Sequence, residues 1–251
     1  MSLSRSAISF LITTACLGGA VHTQTAKVDP QARQVLDAMM ASYPALHSYS
    51  ATIEVTDTVG KNPRGSVQKT HIVFQRPNEA LVVSDGTEGH TKVVSDGTTL
   101  YEWEPPAKPG AKPTYHTESA DAQAEGVTTA IRLGERGGSF VKDLIIDDGF
   151  LTKLSSMPEL NSLTLGPEGT TDGVPTQTVI FAWKDAPGES VFTFSIGKSD
   201  HLLRRVNMAC RIPGKAAKVI KVEKNSHVQA NPKLDAATFD FTPPPGNTVG
   251  P

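Results

Sequence analysis

The sequence has only 2 cysteines in 251 residues. Cys16 falls in an apolar N-terminal stretch, which leaves Cys210 alone in the rest of the chain. A single thiol closes no internal disulfide, so the fold must rest on its core even in an oxidising compartment. Cys210 alternates with Val206 and Met208. That spacing places it on one strand face and reads as a buried, inert thiol. Charge of one sign is also scarce. The formal net charge is −2, which provides no field to draw the chain to nucleic acid or to an acidic membrane. The densest basic stretches, Lys215 to Lys224 and Arg204–Arg205, read as solvated strand faces.

Motifs for catalysis and metal binding are missing too. There is no G-x-S-x-G elbow and no H-E-x-x-H pair, and GERGG lacks the Lys-Ser/Thr of a phosphate loop. Gly137-Gly138-Ser139-Phe140 comes nearest to a nucleophile turn, but it opens a helical pattern rather than following a strand. A calcium loop needs oxygen ligands at short intervals. Asp85 and Asp96 stand eleven positions apart, with only Glu88 between them as a further acid, and Asp147–Asp148 is isolated. The chain therefore reads as non-catalytic, with no metal and no cofactor.

No apolar run is long enough to anchor the chain permanently across a bilayer. Arg5 followed by the small, apolar stretch from Ala7 to Gly19 reads instead as an export signal. Cleavage after Ala20 uses Gly18 and Ala20 as the small residues; Thr23, with Val21 before it, is a second boundary. The leader is thus residues 1–20, with its end somewhere between 15 and 26, and one domain follows over 27–247. Thr13-Thr14-Ala15-Cys16 is a further option, a lipidation site at Cys16, although Thr13 replaces the usual Leu. The expected location is the periplasm, or the outer membrane as a lipoprotein, with membrane contact only if Cys16 is acylated.

What is abundant is turn chemistry and alternation. The chain has 21 glycines and 18 prolines. Asp29-Pro30 is a helix start, with a capping side chain and then Pro at the first helical position. Val35, Leu36, Met39 and Met40 continue at helical spacing to Tyr43-Pro44. Tyr49, Ala51, Ile53 and Val55 alternate with polar residues, the pattern of a half-buried strand. Further strands are read at 67–76, 81–83, 92–94, 99–103, 160–165, 176–184, 190–196, 201–212 and 217–227, with another beginning at Tyr115. Short helices are read within 139–156, and residues 119–130 show only weak periodicity. Residues 104–113, rich in Pro, form a surface loop. Strands joined by short turns pair antiparallel, so the fold class is α+β: one large, strongly curved antiparallel sheet, an incomplete barrel, covered by a few helices.

The hexapeptide VVSDGT occurs at Val82 and again at Val93. The offset does not continue, so it is no solenoid. Asp-Gly favours tight turns. Asp96-Gly97 is expected to turn tightly between Val94 and Leu100, and Asp85-Gly86 to begin a looser loop through Gly89. The aromatics share strand faces: Tyr101 with Trp103, Phe181 with Trp183, and Phe192 with Phe194. Most of them suit a core beneath the helices. The alternative is an apolar cavity between sheet and helices, walled by Ile53, Val55, Tyr101, Trp103, Phe181, Trp183, Phe192 and Phe194.

Three stretches carry a family resemblance: RPNEALVV through VVSDGTTLYEWEPP to TYHT, DGVPTQTVIF, and NPKLDAATFDFTPPPG. Their order and spacing resemble the outer-membrane lipoprotein carrier (LolA/LolB-like) superfamily, nearest to its predicted periplasmic members without established function, over Asp29 to Gly246. The resemblance implies an incomplete barrel with a helical lid over an apolar cavity for lipid or lipoprotein acyl chains. It brings no catalytic residue, and the carrier's functional arginine has no counterpart that can be placed on this chain. The expected partner is an acyl chain, bound by a monomer; the rival is an envelope interaction or sensor module with a packed core and a protein partner.

Overall fold

The computed structural model describes residues 27–58, 65–87, 89–105, 114–119, 126–146, 160–185, 188–211, 218–243 and 248–249. The expected export signal, Cys16, most of the Pro-rich connector and residues 147–159 lie outside them.

Asp29 caps the first helix as its sequence position demands: its carboxylate accepts from Gln31 N at 2.8 Å, and α1 runs Pro30–Ser42. Ala32, Leu36 and Met39 form its buried stripe. The chain then enters a meander of antiparallel strands, β2 (Ser48–Asp57), β3 (Ser66–Gln75), β4 (Glu79–Gly86), β5 (Gly89–Asp96), β6 (Thr99–Glu104) and β7 (Thr114–Ser119). Two helices follow, α2 (Gly126–Gly134) and α3 (Phe140–Ile146). A second run comprises β8 (Leu160–Leu165), β9 (Gly169–Thr171), β10 (Val174–Asp185), β11 (Gly188–Gly197), β12 (Leu203–Arg211) and β13 (Lys218–Ala230). β13 pairs antiparallel with β2, which joins both runs into one sheet. Among the described residues this sheet has 14 strands. Its edges are the short parallel additions β1 (Lys27–Val28) on β8 and β14 (Thr248–Val249) on β7. Among the described residues no pairing joins the two edges, so the sheet is open, and the fold is the α+β incomplete barrel expected.

Alternation assigns the two faces. Val82 and Val93 pair across β4 and β5 and meet α2 at Gly134, where an added Cβ would come within 2.6 Å of Val82 Cγ1. That fixes the inner, helix-covered face. Ile53, Val55, Phe181, Phe192 and Phe194 lie on it, with Ile72, Phe74, Leu163, Ile196 and the apolar residues of the three helices, in one buried cluster.

Three local readings change. The Asp85-Gly86 turn is tight rather than loose: Gly86 pairs with Gly89, and Asp85, still in the strand, meets the His90 ring. Asp96 does form its turn, accepting from Thr98 N at 2.9 Å and Thr99 N at 2.8 Å. The weak periodicity of 119–130 gives way to a helix at 126–134, because Val127, Ala130 and Ile131 bury a stripe against β4 and β5. Cys210 is half-buried, not fully enclosed.

Candidate functional site

The residues expected to wall one cavity divide into two groups. Phe181, Phe192 and Phe194 pack on one another, with Phe181 and Phe192 stacked at 4.7 Å between ring centres. Phe140 of α3 covers them edge-on, 5.8 Å from Phe192 and 5.5 Å from Phe194. Trp183 leans on Phe192 at 6.3 Å, and Ile53 and Val55 are 0% and 3% exposed in the same core. Tyr101 and Trp103 do not join them. Val93, which faces α2, pairs with Glu102, so Tyr101 and Trp103 on either side of it must point outward. There Tyr101 stacks on Phe241 of the C-terminal tail at 4.7 Å, and Trp103 meets His90 at 5.1 Å. Those two are outer-face residues, and the inner aromatics are held as packed core.

The inner face also carries a polar group that the sequence pattern hides. Glu223 is 0% exposed. Its carboxylate accepts from Phe140 N at 2.6 Å and Val141 N at 3.3 Å, the free N–H groups of the first turn of α3. Asn225 Nδ2 donates to it at 3.0 Å. A carboxylate there satisfies orphan donors and complements the helix dipole. Burial pushes the Glu223 carboxyl up to about 7, against the lowering effect of the Phe140 and Asn225 bonds and with the Glu135 carboxylate raising it further. Glu135, 1% exposed, accepts from Gly137 N at 2.9 Å and Ser139 N at 3.2 Å, with Lys142 Nζ 3.9 Å away. Lys221, expected on a solvated face, instead turns inward and donates to the Gly137 and Gly138 carbonyls. Glu223 and Lys221 therefore fasten the α2–α3 connection to the sheet, and Glu135 braces that connection from within.

Beside this latch lies a cavity of 470 Å³. Arg204, Asn225 and Ser226 line it together with His227 and Val228, and Asp172 and Val174 from the β9–β10 turn close one side. The volume falls in the range of small-ligand sites, ~300–1,000 Å³. β13 is irregular here: its pairing with β2 shifts between Ser226 and Gln229, and His227 takes φ +53°. A bulge of this kind re-aims side chains. Arg204 and Asn225 are 4% and 0% exposed. None of the eight residues expected from sequence lines this cavity. Among the described residues no group of three or more His, Cys, Asp or Glu could hold a metal ion, and no helix is long and apolar enough to cross a membrane.

No family model and no curated protein matches the sequence. Solved structures similar to this chain include MucB, at 13% identity and a TM-score of 0.48, covering 85% of this chain and 64% of MucB. The lipoprotein LppX of Mycobacterium tuberculosis is similar at 13% identity and a TM-score of 0.46, over 83% of this chain and 99% of its own. The LolA superfamily protein NE2245 of Nitrosomonas europaea is similar at 8% identity and a TM-score of 0.30, over 84% of this chain and 97% of its own. At such identities ligand and partner have to be read from this chain's own residues.

Proposed function

We propose that this chain is a non-catalytic, exported binding protein of the cell envelope that takes an acyl-bearing ligand, a lipid or an acylated polypeptide. The observation that carries the reading is the 470 Å³ cavity, lined by Val174 and Val228 together with polar side chains of β12, β13 and the β9–β10 turn. Such a mixed lining suits an amphipathic ligand, whose buried CH₂ groups each contribute about 0.8 kcal/mol. Residues 27–247 act as one binding domain, monomeric, with carriage or sorting of the ligand as its role. The inner aromatic core lies beneath α3, so Phe181, Trp183, Phe192, Phe194, Ile53 and Val55 meet a longer chain only when α3 lifts from the sheet. The test is a displacement titration with a dansyl-labelled dodecanoyl amide: saturable binding supports the reading, and none contradicts it.

A second reading has its own observation. Phe181, Phe192 and Phe194 are 2%, 5% and 0% exposed, which is the packed interior expected of an envelope interaction module. That module would meet a protein through its surface, and crosslinking in intact cells would then trap a protein without any acyl ligand. The mass of the mature N-terminus decides location: a start at Cys16 with acyl mass means an anchored protein, and a start near Val21 a soluble periplasmic one.

A further inference from the structure

Arg204 and Asn225 belong to neighbouring strands, β12 and β13, and flank the terminal pair Arg205–Lys224 of their ladder. Both are more than nine-tenths buried and both line the cavity. Arg204 donates to the Leu202 carbonyl at 3.0 Å and to Asp200, two bonds for a guanidinium with five N–H donors. Its charge is already balanced by Asp200. Asn225 has the opposite deficit. Its Nδ2 is committed to the Glu223 carboxylate at 3.0 Å, which fixes the amide's orientation, and its Oδ1 is buried with no partner. An orphaned buried acceptor destabilises the site, and a bound donor relieves it.

We propose that Arg204 and Asn225 form the head-group subsite of the cavity and select a neutral carboxamide, its C=O accepting from Arg204 and its N–H donating to Asn225 Oδ1. The inference rests on the acyl-binding reading and names its ligand class: an acyl chain joined through an amide rather than a free fatty acid. A carboxylate offers no donor to Asn225. It would also enter a site where Asp200 neutralises Arg204, Asp172 stands on the wall and Glu223 lies behind Asn225. An ester offers only an acceptor and leaves Asn225 Oδ1 unpaired. Val174 and Val228 provide the apolar contact for the first part of the chain.

The test is calorimetric titration of the mature protein at pH 8 with N-methyldodecanamide, dodecanoate and methyl dodecanoate. The amide is expected to bind about ten-fold tighter or more than either of the others, the effect of one buried acceptor left unpaired. Val174→Trp, which fills the cavity from the turn side, is expected to abolish amide binding with the urea midpoint unchanged. Dodecanoate binding as tightly as the amide overturns the subsite while leaving acyl binding intact. Methyl dodecanoate binding equally well removes the role of Asn225. Amide binding that survives Val174→Trp places the ligand elsewhere, and failure of all three ligands to bind overturns both the subsite and the acyl-binding reading.

Discussion

Replacing Glu223 by Gln tests the latch beneath α3. The carboxyl rises from 4.5 to about 7 in the folded chain, chiefly through burial. Between those values the folded state binds more protons than the unfolded one, so stability falls as pH rises. The contribution is fully present below about pH 4.5 and is lost as pH climbs through 7. At about 1.4 kcal/mol per unit, this amounts to about 3 kcal/mol. Gln keeps the shape and still accepts from Phe140 N, but its amide opposes the Val141 N–H, so absolute stability also drops at every pH. The informative quantity is the slope. Urea unfolding, followed by tryptophan fluorescence at pH 5 and pH 8, is expected to show the wild type losing about 2–3 kcal/mol more than Glu223→Gln. Every other group is common to both proteins and cancels in the comparison. Parallel stability curves would refute the buried, proton-sensitive latch.

Four further substitutions test the packing and the turns. Gly134→Ala would place a Cβ 2.6 Å from Val82 Cγ1 and 2.7 Å from its Cβ; overpacking of this kind costs about 1–3 kcal/mol, read as a lower thermal midpoint. Phe181→Ala removes the ring stacked at 4.7 Å on Phe192 and is expected to cost about 3–5 kcal/mol in urea. Asp96→Ala removes the acceptor of two turn N–H groups and the Thr98 hydroxyl, an expected loss of about 1–2 kcal/mol. Asp85→Ala, whose side chain is 62% exposed beside His90, is expected to leave the midpoint nearly unchanged.

The strands were legible where polar and apolar residues alternate, as in 49–55, and α1 where Asp29 and Pro30 mark its start. The α+β class and the open sheet follow from those signals and the short turns. Alternation gives only relative sides, however. It placed Tyr101 with Trp103 but not on which face, and Glu102, the polar residue between them, is the one that turns toward the helices and pairs with Arg136 at 3.5 Å. In β13 the pattern misleads outright: Val219 is 47% exposed while Glu223 and Asn225 are both 0% exposed. A shift in pairing with β12 between Met208 and Ala209 resets the alternation, and the demand of the α3 N-terminus for an acceptor outweighs the local polarity. The cavity was hidden for the same reason. Its floor joins residues from β12 and β13 with a distant turn, and its polar members look like surface residues in the linear sequence.

The most direct measurement is native mass spectrometry of the mature protein extracted gently from its own cells. Acyl binding predicts a population heavier by one lipid or acylated peptide, lost when the dansyl-labelled dodecanoyl amide displaces it. A protein that is consistently ligand-free, and that leaves the probe unbound at saturating concentration, contradicts it.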